Sequence, residues 1–292
     1  MRKLRVRLDG GLGNQLFQIS AGFAYAKDKN MSIIFYIPSS GRTDFSHQFD
    51  SSLFDVSSIS NSRKFPFNFD PLTKALNRVL RSLPRLQQLL RIHAPIEIGF
   101  DPELLRNPKW RTLIGYFQSY KYLELARPSL QDFLKVVEPS SWYNHEKESL
   151  SHSEKISLHV RRGDFVTLRE VHGILGKSYY QQAIDLARRK FPSAEILVFS
   201  DDSEKAKVLL AGLDDNIRFT DPPKASAPGE SLALMWECSA HIIANSTFSW
   251  WGAAMAMKSE FVVAPKQWMR NGVEIRDLIP PTWIQIDSDW ED

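Results

Sequence analysis

Residues 156–164 read ISLHVRRGD, a short apolar run that ends in two arginines, a glycine and an aspartate. A run of this length, bounded by polar residues, is typical of a strand that is buried on both faces. Such strands occur in parallel sheets that helices cover on both sides. The stretch therefore indicates an α/β fold and places two guanidinium groups at the carboxyl end of a buried strand.

The residues that follow repeat an alternation of strand and helix. Further strands are predicted at 195–200, 217–219, 241–244 and 261–264. Helices are predicted at 179–190, 203–211, 231–239 and 249–257. This order predicts a mostly parallel sheet with helices on both faces.

The start of the chain has the same character. Apolar and basic residues alternate over 4–8, a glycine-rich segment covers 9–15, and an apolar helix pattern covers 16–26 before a strand at 32–37. The pattern predicts a β-α-β unit with a glycine turn after its first strand.

A polar stretch separates the two regions. Residues 138–155 carry many charged and hydroxyl side chains and are predicted to form a linker or an exposed helix. We place the domain boundary there, which gives predicted domains at 1–150 and 151–292.

The composition limits the classes of protein and the compartments that fit. The chain has 292 residues, a net charge of +3 and one cysteine, Cys238. That charge is unlike the strongly basic balance of nucleic-acid-binding proteins. One cysteine forms neither an internal disulfide nor a cysteine-rich metal site. No signal-peptide pattern follows the basic N-terminal residues, and charges interrupt every long apolar run. We therefore expect a cytoplasmic protein without a membrane span.

One segment is both basic and amphipathic. Apolar residues recur at helical spacing over 72–92, lysines and arginines lie between them, and no acidic residue stands between Asp70 and Glu97. Pro84 is predicted to kink or split this helix. The pattern fits either a peripheral contact with an anionic inner membrane or the solvated face of a packed helix.

Four polar segments fall at the predicted carboxyl ends of strands, where open α/β sheets bind ligands. They are DGGLGNQ (9–15), HVRRGD (159–164), FSDD (199–202) and NSTFSWWG (245–252). Arg161 and Arg162 suit a phosphate, because a guanidinium donates paired hydrogen bonds and stays charged. Asp164 is predicted to hold one of these arginines, and the alternative is a purely structural arginine–aspartate pair.

The last two segments have two interpretations each. Asn245, Ser246 and Thr247 precede a predicted helix, where N–H groups and hydroxyls bind phosphate or simply cap the helix. The nearby arginines favour phosphate. Asp201 and Asp202 suit hydrogen bonds to ribose or guanine, or an N-cap for the helix that follows.

Known nucleotide-binding and metal-binding patterns are absent or poorly placed. Segment 9–15 lacks the third glycine of a dinucleotide-binding motif and the Gly-Lys-Ser/Thr of a Walker A loop. Its glycines let a ligand approach the backbone, so the amides of Asn14 and Gln15 are expected to meet a sugar or phosphate. Asp287-Ser288-Asp289 has the form of a divalent-metal motif but lies among acids near the end of the sequence, and the histidines show no ligand spacing. We predict no metal site.

Together the four segments resemble, in the expected order, the motifs of the α-1,2-fucosyltransferase family, which includes bacterial enzymes. HVRRGD resembles the His-x-Arg-Arg-x-Asp motif, DGGLGNQLFQ (9–18) resembles the N-terminal motif, and FSDD and NSTFSWWGA (245–253) resemble the later ones. The α-1,6- and protein O-fucosyltransferases share the arginine motif. The residues LGNQLFQ and STFSWWGA favour the α-1,2 branch.

The resemblance implies a two-domain fold of the GT-B type, with a C-terminal Rossmann-like donor domain and an N-terminal α/β domain on the acceptor side. It implies a galactoside α-1,2-fucosyltransferase that uses GDP-β-L-fucose, inverts the anomeric centre and needs no metal or cofactor. The acceptor would be a galactose-terminated oligosaccharide such as O-antigen. The alternatives are a nucleotide-sugar transferase of another linkage or donor, and a non-catalytic glycan-binding protein.

The same resemblance assigns roles to residues. Arg161 would stabilise the charge on departing GDP, and Arg162 would hold the loop together with Asp164. Further donor contacts are expected from Asn14, His159, Asp201, Asp202, Asn245, Ser246, Thr247, Phe248, Ser249 and Trp250. The base that takes the acceptor proton is left open between Asp9, His47 and release to water or phosphate.

Overall fold

The computed structural model of the chain describes residues 2–37, 79–150, 153–163, 167–223 and 228–291. His47, Asp164 and the first part of the predicted helix 72–92 lie outside these residues.

The first structural unit is built on a parallel sheet with the strand order β2-β1-β4-β3. Its strands are β1 (Arg2–Arg7), β2 (Met31–Tyr36), β3 (Ile92–His93) and β4 (Thr112–Leu113). Its helices are α1 (Leu12–Ala26), α2 (Pro84–Leu90), α3 (Pro102–Arg106) and α4 (Tyr120–Phe133). The predicted β-α-β start is confirmed, since β1 and β2 pair in parallel and the largely buried α1 packs against both strands and α4.

Pro84 splits the basic helix as predicted. Residues 79–82 are helical, Leu83 is not, and α2 begins at Pro84, where the first turn has no need of the missing N–H. The prediction that the helix reaches Ile92 is wrong. Arg91 takes a left-handed conformation with φ of 56°, which ends α2 and lets Ile92 pair with β4.

The second unit is built on a parallel sheet with the strand order β10-β9-β8-β5-β6-β7. Its strands are β5 (Lys155–Val160), β6 (Glu195–Ser200), β7 (Ile217–Phe219), β8 (Ala240–Ile242), β9 (Phe261–Pro265) and β10 (Ile284–Ile286). Its helices are α5 (Ser141–Leu150), α6 (Arg169–His172), α7 (Lys177–Lys190), α8 (Ser203–Leu210), α9 (Pro228–Trp236) and α10 (Thr247–Ala254). The predicted alternation is confirmed, with small shifts at the ends of elements.

Helices cover both faces of the central strand β5. Ile156, Leu158 and Val160 are fully buried in the core that α7 and α8 form on one face. His159 points to the other face, where its ring packs against Phe248 of α10 with centroids 5.6 Å apart. The carboxyl end of β5 therefore lies in the middle of the sheet edge where α/β folds bind ligands.

The two units divide earlier than the polar composition predicts. One contains the residues up to Val137 together with Ile275–Leu278, and the other contains Glu138–Glu274 and the residues from Ile279 onward. The polar stretch 138–155 holds α5, which packs against α9 of the second unit. Just before α5, the N–H and hydroxyl of Ser140 donate to the buried Glu230 carboxylate at 2.6 and 2.8 Å.

In the part of the chain that the structure describes, every helix is too short or too polar to cross a bilayer.

Candidate active site

A sharp turn follows β5, and Asp201 holds it. The Asp201 carboxylate, just after β6, accepts a hydrogen bond from the Arg162 backbone N–H at 2.8 Å and pairs with the Arg161 guanidinium at 2.9 Å. The parallel pairing of β5 and β6 brings the two segments together. A Cβ on Gly163 would collide with this carboxylate, so the glycine leaves the space that Asp201 fills. Arg161 keeps 27% of its side-chain surface exposed, so part of the side chain is open to a ligand.

Arg162 has a different partner from its neighbour. Its side chain is 7% exposed, and its guanidinium forms a bidentate ion pair with Glu291, with the Nη2–Oε1 distance at 2.6 Å. Glu291 lies 129 residues farther along the chain. Sequence analysis did not find this partner. The predicted partner, Asp164, lies outside the described residues.

Asp202 caps α8. Its carboxylate accepts a hydrogen bond from the Lys205 backbone N–H at 3.1 Å and pairs with the Lys205 ammonium at 2.9 Å. The Lys205 ammonium, followed by the N–H, lowers the pKa of Asp202. The capping alternative is therefore realised at Asp202, whereas Asp201 orders the arginine turn.

His159 is a neutral imidazole beside the arginines. Burial and then the Arg161 charge lower the pKa of His159 to about 3. Among the described residues, its buried Nδ1 has no hydrogen-bond partner. A buried nitrogen without a partner in the protein can be satisfied by an ordered water or by a ligand.

His241 of β8 is also buried and neutral, and it has a pH consequence. Burial lowers the pKa of His241 to about 3, and its Nδ1 lies 2.7 Å from Ser157 Oγ. The unfolded chain protonates such a histidine below its ordinary pKa of about 6.5, whereas the folded protein does so only near the lowered value. The free energy of unfolding is therefore largest above pH 6.5 and falls as the pH drops toward the folded pKa. Between pH 6.5 and 5, each of His159 and His241 is expected to remove up to about 1.4 kcal/mol of unfolding free energy per pH unit.

Urea unfolding at pH 6.5, 5.5 and 5.0 measures this slope. We expect His241→Asn to lower this slope of unfolding free energy against pH by the contribution of one histidine. The control is His145→Asn, at an exposed position of α5, whose slope should equal that of the parent. Equal slopes in the parent and His241→Asn would contradict the assignment.

Asn245 and Ser246 organise the turn into α10. The Asn245 side-chain amide donates to the carbonyls of His172 at 2.8 Å and Trp268 at 3.3 Å. Ser246 is the N-cap of α10 and accepts from the Phe248 N–H at 3.3 Å. These two side chains therefore fix the backbone of the segment, and the capping alternative is realised at Ser246.

The remaining residues of this segment differ in exposure. Ser249 and Trp250 are buried, and the Trp250 ring packs edge-on against Trp251 with centroids 5.1 Å apart. Thr247 and Phe248 keep partly exposed side chains at the first turn of α10. In this segment, side-chain contact with a ligand is therefore open mainly to Thr247 and Phe248.

The first unit carries a separate polar cluster after β1. Arg7 holds both carboxylate oxygens of Asp9, at 2.7 and 3.0 Å. The Asn14 side-chain oxygen accepts a hydrogen bond from Gln118 Nε2 at 2.8 Å. Gly10 has φ of 78°, and a Cβ there would lie 2.7 Å from Asn14 Nδ2. Asp9 and Asn14 are thus held in place just beyond the carboxyl end of β1.

No group of three or more His, Cys, Asp or Glu side chains suited to a metal ion occurs within the described ranges. Asp287 lies 3.5 Å from the Lys266 ammonium, and Asp289 accepts the N–H of Gly176 through its backbone carbonyl. Independence from metal stays a prediction.

Two units that are each built on a parallel sheet, with charged segments at the carboxyl ends of strands, are the architecture of GT-B glycosyltransferases. Fucosyltransferase NodZ from Bradyrhizobium has this fold, with a TM-score of 0.50 and 15% identity over 89% of this chain and 94% of its own. NodZ α-1,6-fucosyltransferase crystallised with GDP gives a TM-score of 0.52 at 16% identity, over 89% of this chain and 93% of its own. The predicted fold class is confirmed.

The chain belongs to glycosyl transferase family 11, whose profile matches residues 103–287. It is 25% identical to the α-1,2-colitosyltransferase of Escherichia coli, over 97% of this chain and 98% of that one. It is 26% identical to the O-antigen biosynthesis glycosyltransferase WbnK of Escherichia coli, over 96% and 99%. It is 24% identical to galactoside α-(1,2)-fucosyltransferase 1 of Sus scrofa, over 70% and 65%. The resemblance to the α-1,2-fucosyltransferase family is confirmed.

Proposed function

We propose that this family 11 chain transfers L-fucose from GDP-β-L-fucose to the 2-hydroxyl of a terminal galactose, in a surface glycan such as O-antigen. The transfer inverts the anomeric centre and needs no metal or cofactor. The observation that carries the proposal is the accessible Arg161, aimed by Asp201 at 2.9 Å, at the carboxyl end of the central strand β5. The linkage and acceptor follow the names of the galactoside and colitosyl relatives.

The mechanism rests on charge at the leaving group. As the bond between fucose and GDP breaks, negative charge grows on the β-phosphate. Arg161 donates hydrogen bonds to that phosphate, so the interaction strengthens as the transition state forms. Asp201 keeps the guanidinium in place before the donor arrives, so less freedom is lost during the reaction.

The other predicted donor residues divide into contacts and supports. We assign direct contact with the donor to Thr247, Phe248 and the N–H groups at the start of α10. The side chain of His159 is buried, so its contact with guanosine stands as a prediction from the motif. Arg162, Asp202, Asn245, Ser246, Ser249 and Trp250 hold the surrounding backbone through the contacts described above. The assignment of Asp164 stands as a prediction from the motif.

From the first unit we assign Asn14 to a hydrogen bond with the donor or with a sugar hydroxyl, and we retain Asp9 as one of the candidate bases. A positioned carboxylate is a common acceptor of the proton in a displacement of this type. His47 and proton release to water or phosphate remain the alternatives. Unchanged transfer by Asp9→Asn would remove Asp9 from the candidates.

A second donor is favoured by one comparison. The Escherichia coli relative named an α-1,2-colitosyltransferase covers nearly the whole chain, whereas the mammalian fucosyltransferase covers 70% of it. Colitose is fucose without its 3-hydroxyl, so the same arginine mechanism applies to GDP-colitose. The two donors are therefore compared directly in the experiment.

The experiment measures release of the nucleoside diphosphate (GDP or UDP) with lactose or galactosyl-N-acetylgalactosamine as the acceptor, with and without EDTA. GDP-fucose, GDP-colitose, GDP-mannose and UDP-galactose are the donors. We expect acceptor-dependent release from GDP-fucose that EDTA leaves unchanged. Preference for GDP-colitose would replace the donor, and release abolished by EDTA would contradict metal independence. GDP-fucose binding without release on any galactoside would favour the glycan-binding alternative.

We also propose that the protein is cytoplasmic and makes a peripheral contact with the inner membrane through the predicted basic segment 72–92, of which the structure describes residues 79–92. Leu83, Leu89 and Leu90 are 46, 79 and 46% exposed, and the cations Arg85 and Arg91 are exposed beside them. No acidic residue occurs in this range. Exposed leucines flanked by arginines suit an anionic lipid surface.

Vesicle sedimentation tests this contact. The protein is expected to sediment with vesicles that contain phosphatidylglycerol and to remain free of pure phosphatidylcholine vesicles. The double substitution Leu89→Glu and Leu90→Glu is expected to abolish binding. Met257→Glu, at another exposed apolar side chain, is the matched control. Equal binding by the double variant would contradict the proposal.

A further inference from the structure

Residues 289–291 lie along the loop that joins α6 to α7. The Glu291 N–H donates to the Ile174 carbonyl at 2.7 Å, Trp290 forms a β-bridge with Leu175, and the Asp289 carbonyl accepts the N–H of Gly176. The backbone of this short segment is therefore fixed to the loop at three successive residues.

Glu291 extends this attachment to two further segments. Its carboxylate forms the bidentate pair with Arg162, whose side chain is nearly buried. Its backbone carbonyl accepts a hydrogen bond from Arg270 Nη1 at 2.9 Å. One residue thus joins the turn after β5, the loop before α7 and the loop after β9.

The loop before α7 is also where the α10 segment is anchored. The Asn245 side-chain amide donates to the carbonyls of His172 at 2.8 Å and Gly173 at 3.4 Å. Gly173 has φ of 75°, and a Cβ there would collide with the Trp290 ring. The close approach of Trp290 and the anchor of Asn245 therefore share one short stretch of backbone.

We propose that Glu291 is a positioning residue for the donor site, a role that rests on the proposed function of that site. The Glu291 carboxylate pairs with the Arg162 guanidinium, so that Arg161 alone is left to bind the phosphates. Glu291 also fixes the loop before α7, which in turn anchors the α10 segment. Loss of its carboxylate leaves the Arg162 guanidinium without its described partner. The turn that Arg161 and Arg162 share then loses its fixed geometry.

The test is calorimetric binding of GDP, together with kcat and KM for GDP-fucose, for the parent, Glu291→Gln and Glu260→Gln. Glu260 pairs with Lys190 at 3.2 Å on the surface of the same unit and is the matched control. Glu291→Gln is expected to raise the Kd of GDP and the KM of GDP-fucose by about tenfold, because a small misplacement of a binding group has effects of this size. Glu260→Gln is expected to leave both constants unchanged.

The readouts separate positioning from folding. Partial unfolding of Glu291→Gln would lower the binding stoichiometry and the apparent kcat while the Kd stayed the same, and that result would overturn the proposal. Constants within about twofold of the parent would also overturn it. If the parent binds UDP or ADP in place of GDP, the proposed donor fails, while the Kd ratio for that nucleotide still tests Glu291. Binding of no nucleoside diphosphate by the parent would contradict both.

Discussion

Replacement of Arg161 by alanine is expected to lower kcat with GDP-fucose by about a hundredfold or more, because a charge-stabilising donor contributes about 3–4 kcal/mol in the transition state. The Arg161 side chain is partly exposed at the carboxyl end of β5, and Asp201 holds its guanidinium. Its contact strengthens as charge develops on the β-phosphate, so the loss should fall mainly on kcat. Steady-state rates of GDP release measure it.

Arg188→Ala is the matched control for this change. Like Arg161, Arg188 pairs with an aspartate; its pair with Asp214 is bidentate, at 2.5 and 2.7 Å, and it also donates to carbonyls just before β6 begins. This pair therefore sits at the opposite edge of the same sheet. Arg188→Ala should lower thermal stability and leave kcat per folded molecule unchanged. A kcat of Arg161→Ala within about threefold of the parent would contradict the assigned role.

Asp201→Asn is expected to lower kcat by about tenfold or more, since loss of the ion pair frees the Arg161 guanidinium from its productive orientation. The asparagine oxygen can still accept the Arg162 N–H, so the turn itself is largely retained. Because asparagine has nearly the same shape as aspartate but no charge, the variant tests the effect of the Asp201 charge alone.

Nucleotide affinities then distinguish two roles for Asp201. If it aims Arg161 at the β-phosphate, Asp201→Asn should weaken GDP binding more than GMP binding. If it contacts guanosine, as its place after β6 first indicated, both affinities should fall together. Asp214→Asn, at the opposite sheet edge, should change neither. Equal losses for GDP and GMP would contradict the aiming role.

The second sheet follows from the sequence because its central strands are continuous apolar runs between clear helix patterns. Leu158 and Val160 are buried as such a run requires. The first sheet is harder to predict, because β3 and β4 are only two residues long and are too short to show an alternation of apolar and polar residues. Helix α4 contains Pro128, which interrupts the usual helix signal, and sequence analysis does not predict it. Strand β10 is missed because its side chains stay largely exposed.

At the site, residue types are predictable and partners are not. The arginines, Asp201 and Asp202 are expected at strand ends, and the structure places them there. Which aspartate caps α8 and which holds the arginine turn depends on the register between β5 and β6. The Arg162–Glu291 pair has no local signal, because its members lie 129 residues apart. The sequence indicates only that two adjacent arginines at a buried strand end need more than one anionic partner, and it does not show which acidic residue the second partner is.

The decisive experiment is the NMR spectrum of the product formed from GDP-fucose and lactose. We expect an α-linked fucose whose anomeric proton shows a correlation to position 2 of galactose. A fucose linked to position 3 or 6, a β-anomer, or the absence of any fucosylated product would contradict it.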